Sequence, residues 1–303
     1  MSRKELRGIY APITTPFDRD GTLNLAHLKE NVKRYADSFL DGYLVLGSNG
    51  ENKSLTTQEK EQVVRTVLEN KSPKQMVAVG CIFESTMETV DFARRAEEMG
   101  ADFIALLPPC YFKKAMNDDV LYQYFTDVAS AVKTPCVLYK APQFSGGVDL
   151  SLSLIQKCAA HPNIVGIKDS SSSGIEKILH TVPQEFHVMS GSANTLFSAM
   201  INGATGGVIS LADSLPDVVT RLYSYLESGD LGKAAELNHT IVSANLDISG
   251  KYGVAGVKCA MDFCGLHGDY PRLPLLPLSE RERSSIQAVL QTTGWTNENG
   301  CHG

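Results

Sequence analysis

The chain has 303 residues, 43% hydrophobic and 20% charged, with a formal net charge of −6. That is enough for one large α/β barrel or two smaller domains, and the acidic balance without any basic cluster excludes a nucleic-acid surface. There is no run of eighteen or more apolar residues, and the first residues are charged rather than signal-like, so no membrane span is expected and a cytoplasmic location is.

Gly8 to Thr14 read as a first apolar strand, closed by Thr15-Pro16-Phe17. Asn24 is placed to cap a helix whose Leu25, Leu28, Val32 and Tyr35 recur at helical spacing. Tyr43 to Leu46 form the second strand, which leaves through Gly47-Ser48-Asn49-Gly50-Glu51. Thr56 and Glu59 make a capping box for the next helix, with Val63, Val64, Val67 and Leu68 facing inward. Met76 to Val79 are the third strand. Ser85 and Glu88 suggest a second capping box, and Gly100 a left-handed C-cap.

Phe103 to Leu107 are the fourth strand, ending at Pro108-Pro109-Cys110-Tyr111. A helix over 118–132 places Leu121, Tyr124, Phe125 and Val128 on one face. It is followed by a strand over 135–139, ending in Tyr139, and a helix near 150–160. Ile164 to Asp169 are an apolar burst ending in Lys168-Asp169, and Ser170 to Gly174 read as the turn leaving a buried parallel strand. The series ends with a short helix near 175–179, a strand over 186–189 leaving through Ser190-Gly191-Ser192, and a helix over 193–202. A strand at Val208-Ile209 and a helix over 215–228, with Pro216 in its first turn, complete it.

Strict strand–helix alternation predicts a TIM (β/α)8 barrel over 1–228, with additional C-terminal helices over 229–295 and a disordered tail over 296–303. A doubly wound sheet is the rival, but no glycine-rich phosphate fingerprint follows the first strand. The seven cysteines include no CxxC pair and several lie in apolar runs, as free thiols of a reducing compartment do. The seven histidines show neither HxH nor HExxH spacing, so neither a metal nor another cofactor is expected.

In a barrel the carboxyl ends of the strands carry the site. Here they offer Thr14, Thr15, Ser48, Asn49, Tyr111, Tyr139, Lys168, Ser170, Gly191 and Ser192. One amine, two phenols, several hydroxyls and almost no charge suit carbonyl chemistry through an imine, with hydroxyls and backbone N–H groups to hold a carboxylate. The set does not suit phosphoryl transfer. Taken alone, Lys168 also reads as a surface lysine at a strand end or as one paired with Asp169, and Tyr139 as a rim tyrosine.

Several motifs together resemble the dihydrodipicolinate synthase/N-acetylneuraminate lyase family from Gly8 to about Trp295. Ala11 to Phe17 resemble its opening strand. Gly47-Ser48-Asn49-Gly50-Glu51 are similar to its Gly-[Ser/Thr]-x-Gly-Glu turn, Tyr139-Lys140-Ala141-Pro142 to its Tyr-x-x-Pro motif, and Gly166-Ile167-Lys168-Asp169 to its lysine motif. The resemblance implies a class I aldolase in which Lys168 forms a Schiff base with pyruvate and Tyr139, Ser48 and Tyr111 relay protons. Ser48 and Asn49 lie in the turn that holds the carboxylate, and Gly191 and Ile209 line the pyruvyl site. Thr14 belongs with the substrate-binding hydroxyls.

Departures bear on the substrate. The synthases carry an arginine where this chain has Gln143-Phe144-Ser145, and Asn49, Pro109 to Tyr111 and Ser170 look more like 4-hydroxy-2-oxoglutarate aldolase. That aldolase (pyruvate plus glyoxylate) is the first expectation, with Ser170 at the distal part of the substrate. Dihydrodipicolinate synthase, using pyruvate and aspartate semialdehyde, is the alternative, followed by a 2-keto-3-deoxy sugar-acid aldolase or dehydratase. A non-catalytic 2-oxo-acid binder is the reading from another class. The resemblance also implies a homotetramer, a dimer of dimers, in which Tyr111 serves a neighbouring subunit.

Overall fold

A computed structural model describes residues 5–171 and 174–294. Ser172, Ser173 and the tail expected over 296–303 lie outside the described residues. The elements run β1 (Gly8–Ala11), α1 (Leu25–Ala36), β2 (Gly42–Val45), α2 (Thr57–Asn70), β3 (Met76–Gly80), α3 (Thr86–Met99), β4 (Phe103–Leu106) and α4 (Asp118–Ala131). They continue with β5 (Cys136–Lys140), α5 (Leu152–Ala159), β6 (Ile164–Asp169), α6 (Ile175–Thr181), β7 (His187–Ser190), α7 (Ala193–Ile201) and β8 (Gly206–Val208). After α8 (Pro216–Glu227) come α9 (Leu231–Asn245), α10 (Lys251–Phe263) and α11 (Glu280–Thr292). The strands close as one parallel barrel in the order β1 to β8, with helices between them. No helix among the described residues is long and apolar enough to cross a membrane.

Within this fold the chain forms two compact units, one made of residues up to Gly8 with Met76–Val208, the other of Ile9–Gln75 with the residues from Ile209 onward. In the first, β4, β5 and β6 are buried along their whole length, which is why they read as continuous apolar runs rather than alternating ones. In the second, β1 and β2 are buried in the same way.

Local signals set most of the boundaries. Asn24 accepts the His27 N–H at the start of α1, and Thr56 and Glu59 form the full reciprocal box on α2. Ser279 and Glu282 do the same for α11. On α3 only half of the expected box is present: Ser85 accepts the Glu88 N–H, while Gly100 ends the helix in the left-handed conformation as expected.

The eighth strand is Gly206–Val208 rather than Val208-Ile209. Its pattern was hidden because the strand begins with two glycines, and the backbone explains the first of them: a Cβ on Gly206 would lie 2.0 Å from the Gly8 carbonyl oxygen. Among the described cysteines, Cys136, Cys158, Cys259 and Cys264 are free thiols. Burial pushes the thiols of Cys158, Cys259 and Cys264 up to about 12, 11 and 12, so these side chains pack as small hydrophobes.

In the second unit Arg272 clamps Glu59 with two charge-assisted bonds, Nη2 to Oε1 at 2.6 Å and Nη1 to Oε2 at 2.9 Å, and also donates to the carbonyls of Gly21 and Ser54. That clamp, ahead of the Thr56 bonds, holds the Glu59 carboxyl down from 4.5 to about 2. A carboxyl depressed on folding stabilises fully above its ordinary value, and the contribution is lost as pH falls through the folded value. Urea unfolding of Glu59→Gln should therefore show a shallower stability loss between pH 4.5 and about 2 than the parent chain. Identical slopes would remove this pair from the acid limb.

Candidate active site

In the first unit the site residues come together through the pairing of β5 with β6. Cys136 lies opposite Ile164, but Val137 lies opposite Gly166, so β6 carries one extra residue, Val165, as a bulge. Beyond the bulge Tyr139 faces Lys168 and Lys140 faces Asp169. Register partners project to the same side of a sheet, so Tyr139 and Lys168 share one face and Lys140 and Asp169 the other.

Lys168 Nζ sits 4.1 Å from the centroid of the Tyr139 ring, within cation–π range. Lys168 is 6% exposed and Tyr139 1%. Tyr139 packs against Ile82, Leu107 and Ala141 at the strand ends, which fixes its ring. Asp169 does not pair with its neighbour: its Oδ1 accepts the N–H and the hydroxyl of Ser171, at 2.9 and 2.6 Å, and burial pushes its carboxyl up. Lys168 is thus neither a surface lysine nor one paired with Asp169. On the opposite face Lys140 Nζ reaches Asp149 Oδ1 at 2.6 Å.

Ser170 and Gly191 lie together at the ends of β6 and β7. The Gly191 N–H donates to the Asp169 carbonyl at 2.7 Å, and the Ser170 hydroxyl makes a long 3.5 Å contact to the Gly191 carbonyl. A Cβ on Gly191 would lie 2.0 Å from the Ser170 oxygen, so only glycine fits there. Gln143 Nε2 donates to the Ser170 carbonyl at 2.9 Å. Tyr111 is anchored by its backbone, its N–H and that of Cys110 both meeting Glu84 Oε2, but its ring is 80% exposed and lies edge-on to Phe112.

In the second unit Ser48 and Asn49 are half-buried on the turn leaving β2. Asn49 Nδ2 donates to Asp213 Oδ2 at 3.1 Å, and the Glu51 N–H donates to the Ser48 carbonyl at 3.1 Å. Thr15 Oγ1 donates to the Gly50 carbonyl at 2.8 Å. The buried Thr14 hydroxyl is directed at Met261 Sδ, 3.2 Å away. Ile209, just past β8, is fully buried, and its N–H meets the Tyr10 carbonyl.

Sequence reasoning did not bring out what lies beneath that turn. Lys258 and Glu51, each side chain 1% exposed, form an ion pair at 2.7 Å. The available signal was a single lysine inside the apolar run Val257 to Met261. The histidines that looked scattered also meet: His27, His267 and Asp269 are the one group with ligand-like spacing among the described residues. The two rings stack at 3.9 Å and 13°, so their in-plane lone pairs run side by side instead of converging on one ion. His27 Nδ1 faces Asp269 Oδ2 at 2.7 Å and His267 Nε2 faces Glu30 Oε2 at 2.8 Å, giving two imidazole–carboxylate pairs.

A family profile described as "Dihydrodipicolinate synthetase family" matches residues 5–293. A 4-hydroxy-tetrahydrodipicolinate synthase of Bartonella bacilliformis is 29% identical over 297 residues, covering 97% of this chain and all of that protein. The crystal structure of YagE, a prophage protein of the dihydrodipicolinic acid synthase family from E. coli K12 in complex with pyruvate, superposes with a TM-score of 0.90 at 27% identity. The match covers 97% of this chain and 100% of that one. A dihydrodipicolinate synthase from Acinetobacter baumannii complexed with pyruvate gives 0.89 at 28% identity, over 95% and 98% of the two chains.

The register that sets Lys168 beside Tyr139 continues through Gly166, where a Cβ would stand 2.5 Å from the His187 carbonyl oxygen of β7. Gly166→Ala must separate β6 from β7, and the expected loss is about 1–3 kcal/mol. A thermal melt with an unchanged midpoint would show that the two strands tolerate the separation.

Proposed function

The chain belongs to the dihydrodipicolinate synthetase family, and from that premise we propose that it condenses pyruvate with an aldehyde, or reverses that reaction, through a Schiff base on Lys168. It is a class I, lysine Schiff-base lyase acting on 2-oxo acids. The observation that carries the residue assignment is the buried amine of Lys168 lying 4.1 Å over the Tyr139 ring.

The steps balance without a metal. The Lys168 amine adds to the pyruvate ketone carbon, the carbinolamine loses water, and the iminium withdraws electrons so that a methyl proton leaves to give an enamine. The enamine carbon then attacks the aldehyde, whose oxygen takes up a proton, and water releases the lysine. Tyr139 is assigned the proton transfers, with Ser48 and Tyr111 as relays. The Ser48–Asn49 turn is assigned the pyruvyl carboxylate, and Gly191 and Ile209 are assigned to line the pyruvyl site. Thr14, whose hydroxyl is directed at Met261, is assigned with the substrate-binding hydroxyls.

For the aldehyde, the relatives reverse the order expected from the motifs. They are named 4-hydroxy-tetrahydrodipicolinate synthase, which supports condensation of pyruvate with aspartate semialdehyde. One observation favours the second reading, 4-hydroxy-2-oxoglutarate aldolase. Where the synthases carry an arginine, Gln143 spends its amide on the Ser170 carbonyl, and Phe144 beside it is 53% exposed. The exposed Tyr111 and Phe112 support the homotetramer reading, in which Tyr111 serves a neighbouring subunit.

Borohydride with pyruvate should add one reduced pyruvyl mass to the chain and none to Lys168→Ala. Equal labelling of both would move the Schiff base elsewhere. Tyr139→Phe should still be trapped while its kcat falls by roughly 10²- to 10⁴-fold. Turnover of aspartate semialdehyde with pyruvate, set against pyruvate release from 4-hydroxy-2-oxoglutarate, decides between the two reactions.

A further inference from the structure

The turn after β2 is bracketed by backbone that L-residues rarely adopt. Leu46 has φ 60° and Glu51 φ 50°, both in the left-handed region and neither a glycine. Such residues persist only where their surroundings over-determine them. Between them Gly50 packs so closely that a Cβ would lie 3.2 Å from the Leu46 nitrogen and 3.3 Å from the Ile13 carbonyl oxygen. Ser48 and Asn49 ride on this strained segment.

What holds it is a buried charge. Lys258, on α10, has three ammonium protons and three partners: Glu51 Oε1 at 2.7 Å, the Thr15 carbonyl at 2.8 Å and the Tyr270 carbonyl at 2.7 Å. The other Glu51 oxygen accepts the Arg272 N–H at 2.8 Å. Lys258 Nζ also lies 4.7 Å from the Phe17 ring centroid. Thr15 in turn donates its hydroxyl to the Gly50 carbonyl, so one ammonium is linked to Gly50 through Thr15 and to Glu51 directly.

We propose that the Lys258–Glu51 ion pair is a positioning device that keeps the Ser48–Asn49 turn in the shape that receives the carboxylate of the 2-oxo acid. It rests on the functional reading given above. Lys258 is a positioning residue: it acts on substrate through Glu51 and the turn, and its own ammonium is consumed by protein acceptors. A buried charge left without its partner must move or draw in water, and the strained turn is the part of its surroundings with the most to release.

The test follows borohydride trapping as a function of pyruvate concentration for the parent chain, Lys258→Met, Glu51→Gln and the double variant. Each single variant should raise the half-saturating pyruvate concentration by roughly ten- to a hundredfold while the plateau of trapped protein at saturation is kept. The double variant, with both charges gone, should lie closer to the parent than either single one. Single variants that melt at a lower temperature but saturate within about twofold of the parent reduce the pair to a structural role and overturn the proposal. If Lys258→Met does not fold, Glu51→Gln, which keeps the size and shape of the side chain, decides on the same criterion. A parent chain that pyruvate does not trap defeats the functional reading, and the proposal with it. A parent that is trapped beside variants with unaltered saturation defeats the proposal alone.

Discussion

The register between β5 and β6 is the constraint on which the lysine site depends. Continued residue for residue from Cys136 and Ile164, the pairing would set Tyr139 against Ile167 and Lys140 against Lys168. The two ammonium-bearing side chains would then share a face, and the phenol would face an isoleucine. One bulged residue, Val165, corrects this by a single step. Glycine follows directly, because β7 approaches so closely that Gly166 has no room for a side chain. The Gly-x-Lys spacing in the sequence thus joins a packing requirement at Gly166 to the register that sets Lys168 beside Tyr139.

Three buried lysines differ in what meets their ammonium groups. Lys140 pairs with Asp149 and Lys258 with Glu51, while Lys168 has an aromatic face in place of a carboxylate. Asp169, the nearest acid in sequence, is turned to the other face of the sheet and spends its bonds on Ser171. For Lys258, with its side chain 1% exposed and three acceptors in place, removing the glutamate partner of such a pair costs about 3–5 kcal/mol in comparable buried cases. An amine committed in this way could not serve as the carbonyl nucleophile that the proposed function assigns to Lys168. Similar burial therefore serves opposite ends at Lys168 and Lys258.

What the sequence made legible was whatever is encoded over a few consecutive residues. Strand and helix order, the Thr56 box, the Gly100 cap and the placement of Tyr139 and Lys168 at strand ends all follow from local pattern. Features that depend on residues far apart in the chain were not legible. Gly206 begins a strand because Gly8 lies against it, and no window around Gly206 contains that information. The Val165 bulge is visible only once β5 is beside β6. His27 and His267 stack across 240 positions of sequence separation, and Lys258 meets Thr15 across 243. For Tyr111, the resemblance suggested a role that depends on its surroundings, and in the single chain its ring is exposed.

The long-range contacts of α10 give the C-terminal helices a purpose within their own unit. Five residues of π-helix, Leu246–Gly250, lead directly into α10, and Gly253 breaks the helical conformation at φ 57° and ψ −144°. Gly256 then passes so close to the Ile248 carbonyl that a Cβ would stand 2.6 Å from it. Irregular turns of this kind reset which face of a helix points inward. After the reset, Lys258 and Met261, three residues apart and therefore on one face, meet consecutive residues of the segment after β1. Met261 takes the Thr14 hydroxyl and Lys258 the Thr15 carbonyl. The same lysine then reaches Glu51 at the end of the turn after β2. A short apolar helix could cover these strands equally well; a helix kinked to deliver one ammonium to Thr15, Tyr270 and Glu51 does more than cover them. It ties two strand-end segments to one point, so their spacing is fixed by a side chain rather than left to the loops themselves.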